Sequence, residues 1–292
     1  MPTSVSTGIR VTLLGMACSG VLATVKLATG LIGHSYALVA DAVESFADMA
    51  GSAIVWGSLV VSARPPDHDH PYGHGKAQPL GGLAVGLMLV GAAVGISIQA
   101  VNQIIAPLTG PAPFTLFVLV LVIVVKEALY RFALRVGDSI DSTVVRVDAW
   151  HHRSDAFTSL AAFIGIGISV YGGPGYESAD GWAALAASGL IAFNGVRFIR
   201  MTAGELMDVQ PPPEVLEGMA QAAREVSGVK RVEKVLARKV GTSYLVDMHI
   251  EVDGAISVRE GHNLAHVVKD VVRSHNPGVA DVLIHIEPYN AK

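Results

Sequence analysis

The sequence predicts an α-helical membrane protein, a six-transmembrane-helix bundle followed by a small cytoplasmic α+β domain of order α-β-β-α-β. Three observations carry that reading. The 292-residue chain is 51% hydrophobic and only 16% charged, where a soluble domain carries about a quarter charged residues. The charge is uneven: residues 1–207 are mostly apolar runs, whereas residues 208–292 have the mixed composition of a soluble domain. Six of the apolar runs are long enough to cross a bilayer core of about 30 Å, which takes roughly 20 helical residues.

Those runs lie near 10–32, 37–62, 79–105, 114–135, 147–171 and 178–200. Their connections are asymmetric. Gly33-His34-Ser35, the stretch from Ala106 to Pro113 and that from Tyr171 to Ser178 hold no Lys or Arg. Arg10, Arg64, Lys76, Arg131, Arg135, Arg146, Arg197 and Arg200 all fall on the other side. Positive charge stays on the cytoplasmic side, so both termini are expected in the cytoplasm. Runs three and six are rich in Gly and Ala, the composition of close helix packing in lipid.

A stiff linker, Val209-Gln210-Pro211-Pro212-Pro213, ends the membrane part. Beyond it, Val215, Leu216, Met219, Ala223 and Val226 follow helical spacing over 213–227. Residues 230–239 and 244–252 alternate as strands around Gly241-Thr242-Ser243. A second helix is expected over 258–275 and a last strand over 280–287. The pattern places the helices on one side of a small sheet.

The chemistry sits inside the apolar runs. Asp41, Glu44 and Asp48 lie on one face of the second run, because residues three and four apart stack on a helix. His151 and Asp155 repeat that spacing in the fifth run. Carboxylates at membrane depth are costly and mark ion or proton pathways. Two such helices side by side offer Glu44, Asp48, His151 and Asp155 as four ligands. Three carboxylates and an imidazole suit Zn²⁺ best in four-coordinate form, with Mn²⁺, Fe²⁺, Co²⁺ and Cd²⁺ as alternatives. Asp41 is read as a supporting residue, and His152, about 100° round the helix, as interfacial.

These stretches resemble the cation diffusion facilitator family over essentially the whole chain. The resemblance rests on Leu38 to Asp48, His151 to Asp155 and Pro71-Tyr72-Gly73-His74-Gly75-Lys76. It implies a homodimer that exports divalent metal in exchange for protons by alternating access. It also implies that Glu44, Asp48, His151 and Asp155 are the transport ligands. Glu44 stands where the family more often has His or Asp, which leaves the metal preference more open.

The tract between runs two and three, Asp67-His68-Asp69-His70 to His74, has a metal-binding composition. The resemblance implies a second site on Asp67, His70 and His74, with His68 as a supporting collector of ions. Lys76 has Asp208 as a candidate partner. In the soluble part, the resemblance implies regulatory metal at His249, His262 and His285. Glu287 and Glu233 stand where some members have Asp and His, and His266 is a possible substitute.

The remaining features exclude other classes. A net charge of −4 gives no basis for a nucleic-acid partner. A lone Cys18 cannot form an internal disulfide or a thiolate-rich site. No His-Glu-x-x-His motif or open three-ligand site with a general base is present, so an enzyme is not expected. A non-transporting membrane-embedded metal sensor or scaffold is the alternative, and it need not keep all four intramembrane ligands. The short loops and lack of sorting signals point to a bacterial inner membrane.

Overall fold

The structure, a computed structural model, describes residues 3–106, 110–139, 143–173 and 175–289. The side chains of 3–10, 12, 143–148 and 151 lie outside that description. The side chains of Arg10, Arg146, Asp148 and His151 therefore fall outside that description. The chain divides into two compact units, 1–53 with 84–198, and 54–83 with 199–292.

Six long helices are present: α1 (Thr3–Ile32), α2 (Tyr36–Ser62), α3 (Ala77–Ile105), α4 (Phe114–Ser139), α5 (Thr143–Tyr171) and α6 (Ala179–Leu206). Several run past the apolar segments, since a helix can continue into water on polar residues after hydropathy has fallen. Among the described residues, five are long and apolar enough to span a bilayer. The exception is α4, which carries Lys126, Glu127 and Arg131 at its middle.

The first unit packs on small residues. Ala37, Leu38, Ala40, Ala100, Leu116, Leu119, Ala162, Ile166 and Ala184 form a buried cluster drawn from α2 to α6. Large apolar side chains such as Leu13, Val21, Phe117, Val124, Ile164 and Phe193 are instead exposed along the helices. That is the pattern of a bundle in lipid, where outward apolar groups carry no cost and tight contacts need small residues. The Gly/Ala-rich faces of α3 and α6 do this: a Cβ on Gly195 would lie 3.0 Å from the Gly86 carbonyl oxygen.

Asp180, buried in the first turn of α6, clamps the start of α2. It accepts hydrogen bonds from Ser35 Oγ at 2.7 Å, the Tyr36 amide at 2.7 Å and the Ala37 amide at 3.3 Å. The amides at a helix N-terminus have no intrahelical acceptor, so a carboxylate there satisfies both donors and dipole.

In the second unit, α7 (Pro213–Arg224) and α8 (Val258–His275) pack on a sheet of β1 (Arg231–Val240), β2 (Ser243–Val252) and β3 (Val279–Pro288). The strand order is β1-β2-β3. β1 and β2 form an antiparallel hairpin, and β2 pairs with β3 in parallel. The parallel pair requires a crossover, which α8 supplies. Val246, Met248, Ile250 and Val252 alternate into the core with Met219, Ala223, Val268 and Val272 from the helices. A capping box starts α8: Ser257 Oγ accepts from the Glu260 amide at 3.2 Å, and Glu260 Oε2 accepts from the Ser257 amide at 2.7 Å.

Two outcomes are expected. Asp180→Ala leaves buried donors without an acceptor and destabilises the bundle by about 3 kcal/mol, read as thermal unfolding in detergent, with Asp180→Asn milder. The Ser257 amide, then the Ser257 hydroxyl, holds the Glu260 carboxyl below its ordinary value. A lowered carboxyl contributes stability above the unfolded pKa and loses it as pH falls through the folded one. Hydrogen exchange in the first turn of α8, corrected for intrinsic rate, should therefore accelerate on acidification, and Glu260→Gln should flatten that dependence.

Candidate functional site

The acidic face of α2 meets α5. The Glu44 carboxylate interacts electrostatically with Asp48, Asp41 and Asp155, and with Lys26. Glu44, Asp48 and Asp155 are partly buried. This brings three of the four proposed ligands to one region. α5 also carries His151, whose side chain lies outside the described residues.

Two buried lysines, absent from the sequence reading, organise these acids. Lys26 Nζ of α1 lies 3.0 Å from Asp41 Oδ2 and donates to Ser45 Oγ at 2.7 Å and to the Asp41 carbonyl at 3.2 Å. Asp41 Oδ2 also accepts from Ser159 Oγ of α5 at 2.8 Å. Asp41 is thus the acceptor of a closed network joining α1, α2 and α5. On α4, Lys126 Nζ lies 2.5 Å from Asp155 Oδ2 and donates to Ser19 Oγ of α1 at 2.9 Å. A lysine inside an apolar run was the available signal at both positions, alone at 26 and followed by Glu127 at 126.

His152 corrects an expectation. It is only 3% exposed rather than interfacial. Its ring occupies the space beside Gly15 of α1, where a Cβ would meet Nε2 at 2.6 Å. The absence of a side chain at residue 15 makes room for an imidazole that periodicity alone places outside.

In the second unit, Asp67 gathers the α2–α3 loop. Its Oδ1 accepts from the amides of His70 at 2.7 Å and Asp69 at 3.1 Å. The His70 amide, ahead of the His70 side chain, holds the Asp67 carboxyl below the usual carboxylate range. His70 Nδ1 lies 3.1 Å from Asp67 Oδ1, and His74 Nε2 lies 3.2 Å from Asp67 Oδ2. Ligand atoms of Asp67, His70 and His74 lie within 4.8 Å of one another. Among the described residues, the buried Nδ1 of His74 has no hydrogen-bond partner. His68 is fully exposed beside Asp69 and stands outside the cluster.

The loop rests on the β1–β2 hairpin. Gly75 approaches it so closely that a Cβ would lie 2.5 Å from Val240 Cγ1 and 2.7 Å from the Gly241 amide. Lys76 Nζ pairs with Asp208 Oδ1 at 2.5 Å and donates to the Glu205 carbonyl at 2.7 Å, the partnership the sequence offered. Asp208 adopts φ +58 at the end of α6. There Val209 N donates to Gly204 O at 2.9 Å and Asp208 N to Glu205 O at 3.4 Å. This paired closure needs a left-handed residue, a role Asp tolerates better than most.

The sheet builds a third cluster by register. His249 of β2 is paired with His285 of β3, and Glu251 with Glu287 two residues on. The side chains of both pairs project from the face opposite the helices. The two rings stand 4.8 Å apart, and His249 Nδ1 lies 2.8 Å from Glu287 Oε1. That contact leads the effects holding the Glu287 carboxyl below its ordinary value. β1 skips between Val232 and Lys234, which makes Glu233 a bulge residue. Bulges re-aim side chains, and Glu233 Oε2 comes within 3.8 Å of His249. Ligand atoms of His249, His285 and Glu287 lie within 4.8 Å of one another. His262 is placed differently. Its ring packs edge-on against His266 at 4.6 Å, and it lines a cleft shared with His285 and Glu287.

Residues 12–207 match the cation efflux transmembrane domain, and residues 211–289 match the cytoplasmic domain of cation efflux proteins. The chain belongs to this family, the cation diffusion facilitators, and is a multi-pass membrane protein. It is similar to the manganese efflux system protein MneP of Bacillus subtilis, at 31% identity with 96% of each chain covered. It is 33% identical to metal tolerance protein 2 of Oryza sativa subsp. japonica, over 95% of this chain and 77% of that one. It is 30% identical to the magnetosome protein MamB of Magnetospirillum gryphiswaldense, over 89% and 86%.

Gly75→Val should push the loop off the hairpin. Trypsin cleavage after Lys76 in the folded protein is then expected to accelerate several-fold, whereas unchanged cleavage would show that the close approach does not hold the loop.

Proposed function

We propose that this chain exports a divalent transition-metal ion from the cytoplasm in exchange for protons, by alternating access at Glu44, Asp48, His151 and Asp155. One observation carries the proposal: Asp155 of α5 lies in the field of Glu44 on α2, beside Asp48. Carboxylates and imidazole bind metal in their deprotonated forms, so metal entry releases protons and proton entry expels metal.

Zn²⁺ is the first choice for four-coordinate closure by three carboxylates and one histidine. Mn²⁺ is the second, favoured by the oxygen-rich set with Glu44 and by similarity to a manganese efflux protein. The loop cluster of Asp67, His70 and His74 and the sheet cluster of His249, His285 and Glu287, with Glu233 beside it, have donor sets suited to the same class of ion. In this reading they sense cytoplasmic metal, and His262 contributes from across its cleft.

The protein acts as a homodimer in a bacterial inner membrane. All six long helices cross the bilayer, and both termini lie in the cytoplasm, as the basic-free loops support. The working division is a transmembrane domain over 1–207 and a cytoplasmic domain over 208–292.

Reconstituted in liposomes, the protein should move Zn²⁺ or Mn²⁺ against an imposed proton gradient. A competition series with Fe²⁺, Co²⁺ and Cd²⁺ ranks the ions. Asp48→Ala and Asp155→Ala should each lower flux at least about a hundredfold in folded protein, since even losing a partner behind a ligand costs about 10–100-fold. Flux that survives both substitutions would remove the transport-site assignment, whereas wild-type protein that binds metal but moves none would favour a sensor without transport.

A further inference from the structure

The Lys126–Asp155 contact places an ammonium on a residue assigned to the metal. Lys126 is 1% exposed and Asp155 14%. A charge so deep in an apolar bundle stays only when compensated. Lys126 has two anchors, Asp155 Oδ2 at 2.5 Å and Ser19 Oγ at 2.9 Å. The other buried lysine provides the contrast. Lys26 and Asp41 are 1% and 4% exposed, and Asp41 is also held by Ser159. That pair is sealed and structural, whereas Asp155 is more open and lies in the field of Glu44.

We propose that Lys126 is a tethered competitor for the transported ion, holding Asp155 when the site is empty and displaced from it when a divalent cation binds. The inference rests on the transport-site reading above. A unit positive charge beside a metal ligand opposes a second cation in a medium of low dielectric constant. It therefore weakens metal binding. It also supplies compensation to Asp155 when the metal leaves, so release does not strand a buried carboxylate. A transport site must bind well enough to load and weakly enough to unload. A flexible four-carbon stem ending in a point charge suits that exchange better than a rigid guanidinium. Lys126 is in this sense an affinity-setting residue, and it need not touch the metal.

The test uses the full chain. Equilibrium Mn²⁺ and Zn²⁺ binding in detergent and flux in liposomes are compared for wild type, Lys126→Gln, Lys126→Arg and Asp155→Ala. Lys126→Gln is expected to lower the half-saturating metal concentration by about tenfold and to reduce maximal flux, because one opposing charge is gone. Lys126→Arg should return both quantities toward wild type, a rescue that mere loss of packing would not give. Unchanged or weaker metal binding in folded Lys126→Gln overturns the proposal. If Asp155→Ala abolishes binding while Lys126→Gln leaves affinity unchanged, only the lysine inference fails. If Asp155→Ala binds as wild type does, the transport-site reading fails with it. Should Lys126→Gln not fold, ¹⁵N-lysine resonances of the wild type decide the matter. Metal addition should shift the Lys126 ammonium signal and leave that of Lys26 in place, and a Lys126 signal that does not move overturns the proposal.

Discussion

Two ammonium groups inside an apolar bundle set the terms for the membrane part of this protein. A buried unpaired charge costs several kcal/mol, so each lysine must find a carboxylate and keep it. Lys26 does so on Asp41, and Ser159 completes the contact from α5. Lys126 does so on Asp155, with Ser19 of α1 as its second anchor. These contacts tie α1 to α2 and α5, and α4 to α5. The acids that read as spare ligands along α2 and α5 are therefore not equivalent. Asp41 is sealed between Lys26 and Ser159, whereas Asp155, held by Lys126, is the more exposed of the two. Asp180 applies the same rule at the first residues of α2, where a buried carboxylate answers the open amides of a helix start.

The second unit gathers ligands by backbone geometry. Parallel pairing of β2 with β3 sets His249 beside His285 and Glu287 one step along the same face. The skip in β1 turns Glu233 toward them. In the loop, a carboxylate that first organises its own backbone then offers its remaining valence to two imidazoles. Both clusters use residues separated widely in sequence or held by unusual turns, and both hold Asp or Glu below its ordinary pKa through hydrogen bonding.

Much of this was legible in the chain. Apolar runs of membrane length marked the long helices. The alternation of Val246, Met248, Ile250 and Val252 marked a half-buried strand, and the structure buries all four. The spacing of Asp41, Glu44 and Asp48 marked one polar face and that of His151 and Asp155 another, and Lys76 pairs with Asp208 as their positions allowed. Other features were less legible. His152 was placed outward from its angle on the helix, but the gap left by Gly15 draws it in. His262 packs on His266, its neighbour four residues on, and lines a cleft with His285 and Glu287, a position that depends on how α8 lies beside β3. Lys126 passed unnoticed because its partners, Asp155 and Ser19, lie on other helices and no spacing along α4 marks them.

Local pattern and the cost of burying charge in lipid are properties of the chain alone. They determined the helical membrane part, the small sheet domain and the residue types able to hold a metal. Partnership is not a local property. Which lysine sits on which aspartate, which histidine faces its neighbour across a strand, and which acids come into one another's field all depend on helix packing and strand register. Tertiary structure decided these, because electrostatic and hydrogen-bond energies depend on distances of a few ångströms between residues far apart in the sequence.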